Sequence, residues 1–236
     1  MEIMDFHSHI LPGIDDGSKS AEQSVAMLQA EANQGIRRVV ATPHFYAQHD
    51  RPEEFLQKRT QSEKILRREM EKHPDLPEVI IGAEVFYFSG IAESSVLPEL
   101  RLGDTNYILI EMPTVHWTER MYKDLENIWR KQDLIPVVAH VDRYITPWRT
   151  HRIPERLAEL PVLVQANGEF FLQRATRSMA LRMLKQGKIH LLGSDCHNME
   201  DRSPNLGETV RLIEEKLGPR AIRSICDYQE EVFTGR

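Results

Sequence analysis

Five histidines and a set of carboxylates recur at matching points along this chain, beside or at the end of short apolar runs. His7 and His9 form an H-x-H pair, His44 follows Thr42-Pro43, and Glu84 follows Gly82-Ala83. Glu111 closes the run from Tyr107, His140 follows Ile135–Ala139, and Asp195 and His197 flank Cys196. Imidazole nitrogen with carboxylate oxygen, and no thiolate required, is the donor set of Zn, Mn or Fe in hydrolytic sites. Side chains alternate along an extended chain, so the H-x-H spacing turns both rings to one side. Each histidine alone is an ordinary surface or core residue. Together the donors exceed the four or five that one ion uses, which implies two or three ions with a carboxylate such as Glu84 as the natural bridge. The Asp15-Asp16-Gly17 turn beyond His9 offers one more oxygen or is simply a turn acid.

Sites with several metals lower the pKa of bound water to roughly 7 and stabilise attacking and leaving oxygens in phosphoryl transfer. A phosphoester also needs cations for its non-bridging oxygens, and guanidinium forks match that geometry. Arg143 follows His140 closely, and Arg202 follows His197. Both are candidates for phosphate contact.

The elements that must position these groups are β-rich runs alternating with helical stretches. The spacing predicts strands at Ile3–Phe6, Arg38–Thr42, Val79–Ala83, Tyr107–Glu111, Ile135–Ala139, Val162–Ala166 and Lys188–Gly193. A helix opens at Ser20 with a capping-box pattern and closes at Gly35. A second runs from Asp50-Arg51-Pro52 towards Lys72 with Phe55, Leu56, Ile65, Leu66 and Met70 as its apolar stripe. Further helices are expected at Glu119–Gln132, Thr176–Gln186, Leu206–Leu217 and after Arg220, while Leu157–Leu160 is ambiguous. Strands separated by helices require crossovers and a parallel sheet, as a (β/α) barrel one unit short of eight or as an open doubly wound sheet. Either way, the carboxyl ends of the strands converge on one face. Six of the seven expected strand ends carry His, Asp or Glu, so residues far apart in order should meet there.

Composition narrows the class. Hydrophobic residues make up 41% and charged residues 28%, as in ordinary globular domains. The net charge of −6 disfavours nucleic-acid or anionic-membrane binding. No apolar run is long enough to span a bilayer. Two cysteines and a start without signal-peptide character fit a cytoplasmic protein. Cys196 and Arg202 have the C-x5-R spacing of cysteine-dependent phosphatases. The loop between them lacks glycine and carries Glu200 and Asp201, so it would repel both thiolate and phosphate. Cys196 is read as a packing residue.

The stretch Asp5-Phe6-His7-Ser8-His9-Ile10-Leu11-Pro12-Gly13-Ile14-Asp15-Asp16-Gly17 resembles the opening motif of the polymerase-and-histidinol-phosphatase (PHP) superfamily. More narrowly it resembles bacterial manganese-dependent protein tyrosine phosphatases of the capsule-associated CpsB/CapC type. Thr42-Pro43-His44, Gly82-Ala83-Glu84, Tyr107–Glu111, Ala139-His140 and Ser194-Asp195-Cys196-His197-Asn198 match that family's later motifs in order. The resemblance implies an α/β fold, a distorted (β/α)7 barrel of the PHP type, as a single phosphoesterase domain over residues 1–236. It implies three divalent ions, with manganese first and iron, zinc or nickel also compatible. His7, His9, Glu84 and Asp195 would hold one ion. Glu84 would bridge to a second, also held by Glu111 and His140. Asp16 or Asp15, with His44 and His197, would hold the third. Arg143 and Arg202 stand where the family places its phosphate-binding arginines. The family's usual His-Pro-Glu-Arg reads His140-Val141-Asp142-Arg143 here.

The implied activity is hydrolysis of phosphotyrosine on a protein. The partner would be the tyrosine-rich tail of a bacterial tyrosine autokinase, which regulates capsule or exopolysaccharide synthesis. The alternative is a small-molecule phosphate monoester such as histidinol phosphate. Other rivals are a non-catalytic metal-binding regulator and an amidohydrolase, the latter expected to carry a carboxylated lysine where Glu84 stands. Phe45, Tyr46, His116, Trp117, Tyr144 and Trp148 are rim aromatics that either meet a substrate ring or anchor loops. Asp5, beside the first histidine pair, is expected to orient it or to be a plain strand-end acid.

Overall fold

The computed structural model describes residues 2–145 and 152–234, so Trp148 and His151 lie outside the described residues. Runs of Val, Ile, Leu and Ala flanked by turn residues form short parallel strands, most of them buried on both sides. In chain order they are β1 (Met4–Ser8), β2 (Arg38–Ala41), β3 (His44–Phe45), β4 (Glu78–Ile81), β5 (Glu84–Phe86), β6 (Tyr107–Glu111), β7 (Ile135–Val138), β8 (Leu163–Asn167) and β9 (Leu191–Gly193). β1, β2 and β4 form one ladder; β3, β5, β6, β7, β8 and β9 form another.

The two ladders are one curled surface. Thr42-Pro43 separates β2 from β3, and Gly82-Ala83 separates β4 from β5. Hydrogen bonds from Gly82 N to Ala41 O (2.9 Å) and from Glu84 N to Pro43 O (3.0 Å) carry the pairing across both breaks. Pro43 has no N–H to donate, which is one reason the regular ladder stops there. At the far edge Ser8 bridges to Cys196, Asp195 N donates to His7 O (2.7 Å) and His9 N to Cys196 O (2.9 Å). The segment after β9 therefore returns to β1.

These breaks correct the expected strand ends. His44 and Glu84 do not follow their strands but start new ones, and β1 extends through His7 to Ser8. The pairing of β1 with β2 shifts register between Asp5 and Ser8, a bulge-type irregularity of the kind that re-aims side chains beside active sites.

Met4, Phe6, Val40, Tyr107, Leu109, Val137, Leu163 and Leu191 pack together inside the curl, closed at the strands' amino ends by Val232 and Phe233. A larger apolar layer lies between the strands and the helices α1 (Ala21–Asn33), α2 (Pro52–Met70), α3 (Glu119–Gln132), α4 (Ile153–Leu157), α5 (Gly168–Leu172), α6 (Arg177–Lys185), α7 (Leu206–Leu217) and α8 (Pro219–Thr234). Ser20 caps α1 by accepting from Gln23 N (3.3 Å), and Gly35 leaves the helix at φ +86°. In α2, Phe55 and Leu66 are buried as expected, but Ile65 is exposed. The ambiguous stretch at Leu157–Leu160 is the end of α4 and the turn after it, and α5 was not expected. No helix among the described residues is long and apolar enough to cross a membrane.

Candidate functional site

The nine histidine, aspartate and glutamate side chains singled out as metal donors meet at the carboxyl ends of the strands. His7 Nε2 lies 3.1 Å from His9 Nε2, 3.2 Å from Glu84 Oε2 and 3.6 Å from Asp195 Oδ1. His9 Nε2 lies 3.4 Å from Glu84 and 3.5 Å from Asp195. The other Glu84 oxygen, Oε1, is 2.8 Å from His140 Nε2, which is 3.5 Å from Glu111 Oε1. On the opposite flank Asp16 Oδ1 is 3.5 Å from His44 Nε2 and 3.4 Å from His197 Nε2. His44 links the flanks, because its Nδ1 sits 2.9 Å from Glu84 Oε2. Sheet register explains this: His44 pairs with Glu84 across β3–β5, and Glu111 pairs with Phe86 across β5–β6.

His44 turns both nitrogens to the cluster, while the other four histidines turn one there and have the other committed elsewhere. His7 Nδ1 contacts Gln165 Oε1 (3.3 Å), His9 Nδ1 contacts Asp15 Oδ2 (2.8 Å), His140 Nδ1 contacts the Tyr144 hydroxyl (3.2 Å), and His197 Nδ1 contacts Asp195 O (3.0 Å). A proton fixed on Nδ1 leaves Nε2 with a free lone pair, the arrangement a metal needs. Asp15 also accepts from Gly17 N (2.9 Å) and His44 N (3.1 Å) and is nearly buried, whereas the Asp16 side chain is 65% exposed and reaches the two imidazoles. The adjacent acids thus have different surroundings.

Sequence reasoning missed Gln165 and Asn167. Gln165 Oε1 accepts from His140 N (2.6 Å) as well as facing His7; its amide donates to Asn167 Oδ1 (3.0 Å), and Asn167 Nδ2 donates to Asp195 Oδ2 (2.9 Å). Both are buried on β8, the strand whose end carried no expected donor. Two buried amides at the end of an apolar strand were the signal. Asp142 accepts from Asn167 N (3.1 Å).

The backbone is shaped for closeness here. His140 (φ +30°) and Asp195 (φ +54°) both adopt the left-handed region, which costs a non-glycine residue of order 1 kcal/mol or more and clusters at functional sites. Gly193 is required by packing, since a Cβ there would lie 2.5 Å from the Cβ of His7 and 2.7 Å from Gln165 Nε2.

Electrostatically the cluster calls for cations. Burial pushes Glu84 and Asp195 up, yet His7 and the neighbouring imidazoles hold both well below the usual carboxylate range. Burial pulls His7 and His9 down, but Glu84 and Asp195 more than offset it at His7, and Asp15, Asp195 and Glu84 at His9, so both imidazoles are raised. Burial, aided by Glu84, raises Glu111. Burial, with His9 and Arg202 adding to it, draws His197 down to about 4, which keeps it neutral. His44 Nδ1, Glu84 Oε2 and His197 Nε2 are buried without a hydrogen-bond partner. Orphan polar atoms of this kind are rare in native interiors. Those three, all aimed into a nitrogen-and-oxygen donor set, fit divalent ions.

Arg143 and Arg202 converge on Asp195, one of the cluster's own carboxylates. Arg143 donates to Asp195 Oδ2 (2.5 Å) and Glu111 Oε1 (3.4 Å); Arg202 donates to Asp195 Oδ1 (2.8 Å). Both line a cleft of about 800 Å³ that also reaches Gln173, Asn205 and Arg211. A second cavity, about 780 Å³ and lined by Arg38, Arg59 and Arg101, opens at the other end of the strands, away from every histidine above. Of the rim aromatics, Phe45, Trp117 and Tyr144 are buried anchors, with the Tyr144 hydroxyl accepting from Met112 N (2.9 Å). Tyr46 is half-buried, its ring 5.1 Å from that of His44 and 5.7 Å from Phe86; His116 is exposed. Burial raises the Cys196 thiol well above its usual range, so it is no nucleophile.

The capsular polysaccharide synthesis CpsB/CapC family profile matches residues 3–232. Tyrosine-protein phosphatase YwqE of Bacillus subtilis is 29% identical over 227 residues, covering 92% of this chain and 85% of that protein. Tyrosine-protein phosphatase CpsB of Streptococcus pneumoniae is 28% identical over 235 residues, covering 94% of each. Among solved structures, a chain from the crystal structures of those two proteins, described as unique metal-dependent tyrosine phosphatases, superimposes with a TM-score of 0.84 at 24% identity. It covers 99% of this chain and 95% of its own.

Proposed function

The chain belongs to the CpsB/CapC family, and on that premise we propose that it is a metal-dependent protein-tyrosine phosphatase whose active centre is the strand-end cluster. The observation that carries this reading is the meeting of nine nitrogen and oxygen donors with three buried, unpartnered donor atoms among them. We read three ions: one held by His7, His9, Glu84 and Asp195, one by Glu84, Glu111 and His140, and one by Asp16, His44 and His197. Manganese is the first candidate, and iron, zinc or nickel suit the same donors. The sheet is read as a distorted (β/α)7 barrel of the PHP type in a single domain. β2 with β3 and β4 with β5 count as one stave each, and the ring closes through Ser8 and Cys196.

Bound ions of this kind supply Lewis-acid stabilisation of phosphoryl oxygens and an activated water. The chain's own residues supply the rest. Arg143 and Arg202 retain N–H donors beyond those given to Asp195 and Glu111, and these bind the non-bridging phosphate oxygens. Asp15 and Gln165 accept from Nδ1 of His9 and His7 and so hold those rings in one tautomer, and Tyr144 orients the ring of His140. Phenolate leaves readily because its parent acid has a pKa of about 10, so a dedicated protein acid is not demanded. The substrate read from family membership is phosphotyrosine on the tail of a bacterial tyrosine kinase, in the cytoplasm, with capsule or exopolysaccharide synthesis as the regulated output.

The test is a comparison of kcat/KM on the manganese-loaded protein for a phosphotyrosyl peptide and for histidinol phosphate. The peptide should turn over faster, and activity should vanish on chelation. Faster turnover of the alkyl phosphate would move the assignment to a small-molecule phosphatase.

A further inference from the structure

Glu31, in the last turn of α1, is fully buried, and neither of its carboxyl oxygens has a hydrogen-bond partner. No other buried acid among the described residues has both oxygens orphaned. The side chain faces Asp5 and Cys196, each also fully buried, with one donor atom of each of the three within 4.8 Å of the others. Asp5 is committed on its other side. Its Oδ1 accepts from His7 N (3.0 Å) and Ser194 N (2.9 Å), and its Oδ2 accepts from the Ser194 hydroxyl (2.5 Å). Asp5 thereby ties the residue before Asp195 to β1 at His7. It braces together two segments that bring donors to the cluster.

A bare carboxylate beside another in a sealed apolar pocket is strongly disfavoured, because one like charge penalises the other and burial penalises both. Burial, aided by the neighbouring Asp5, raises the Glu31 carboxyl. A proton on Glu31 removes the repulsion and gives one of its two orphan oxygens a partner.

We propose that Glu31 is a positioning residue, its carboxyl group donating a hydrogen bond to Asp5 and so fixing the Asp5–Ser194 brace that sets His7 against Asp195. Helix α1, which contributes no donor to the cluster, is thereby coupled to its geometry. The inference rests on reading His7 and Asp195 as metal ligands, and its test separates the two.

Chelator-stripped wild type, His7→Ala, Glu31→Gln and Glu31→Leu are titrated with manganese alone, and the metal-free folds are compared by thermal unfolding. Glutamine keeps the shape and an N–H donor towards Asp5, so Glu31→Gln should keep wild-type affinity. Glu31→Leu removes the donor and should lose roughly 10–100-fold, the range for groups that orient metal ligands. Equal losses in both variants, or no loss in Glu31→Leu while His7→Ala loses affinity, would overturn the proposal. Unchanged affinity in His7→Ala would sink the ligand reading instead. Infrared spectroscopy of wild type then decides the hydrogen bond independently, and it serves equally if Glu31→Leu does not fold. A protonated-carboxyl carbonyl band near neutral pH, absent from Glu31→Gln, is expected; its absence from wild type refutes the donor role.

Discussion

His9 Nδ1 lies 2.8 Å from Asp15 Oδ2, a contact that divides the labour of two adjacent acids. Asp15 is nearly buried and grips one imidazole and two backbone N–H groups, while Asp16 extends an exposed carboxylate towards His44 and His197. Removing them should therefore fail differently. Asp15→Asn keeps an acceptor but loses the charge, and should weaken manganese affinity by about 10–100-fold without changing the number of ions at saturation. Asp16→Ala should lower the number of ions itself. Elemental analysis across a manganese titration distinguishes the two, and wild-type stoichiometry in Asp16→Ala would count against Asp16 as a donor.

Arg143 and Arg202 share the two oxygens of Asp195. Lysine can match the charge of either but not the planar fork that reaches a carboxylate and a phosphate together. Arg143→Lys and Arg202→Lys should each reduce kcat/KM on an aryl phosphate by roughly 10²–10³-fold, the scale for losing one donor to a developing oxyanion. Metal content should stay near that of wild type. Loss of bound metal in step with loss of turnover would recast the arginines as supports of Asp195.

How much of this was legible before coordinates depends on what each residue signals alone. Strands such as Tyr107–Glu111 were readable because a parallel strand buried on both faces needs a nearly continuous apolar run. The clustering of the histidines and carboxylates was readable because such a residue beside an apolar run has few structural reasons to be there. The interruptions that make His44 and Glu84 start new strands were not readable. They depend on hydrogen bonds crossing from Gly82 and Glu84 to a neighbouring strand. Gln165 and Asn167 carry no charge, so their role emerges only from contact with His7, His140 and Asp195. Tyr144, readable only as a rim aromatic, is folded beneath His140 instead. Nothing in the sequence marks Glu31 or the helix face that closes over Asp5, because that contact is made only by the fold.

His190 tests the physics of burial away from the cluster. Its Nδ1 accepts the N–H of Val164 (3.0 Å), and its ring stands edge-on to Tyr228 at 4.7 Å. Burial lowers its pKa from 6.5 to about 4. The folded state thus favours the neutral ring, since protonating Nδ1 would set a donor against the Val164 N–H. Because the folded value is the lower one, this contribution is fully present above the unfolded value of 6.5 and is lost as pH falls towards 4. At ~1.4 kcal/mol per decade the whole effect is at most roughly 3 kcal/mol, less whatever the ring's remaining solvent contact screens. His190→Asn retains a carbonyl acceptor for Val164 without the titration. Between about pH 7.5 and about pH 5, metal-stripped wild type should lose stability relative to this variant, read from urea midpoints at matched slopes. Parallel curves, or a wild type that gains on the variant as pH falls, would show that the ring is protonated in the folded protein.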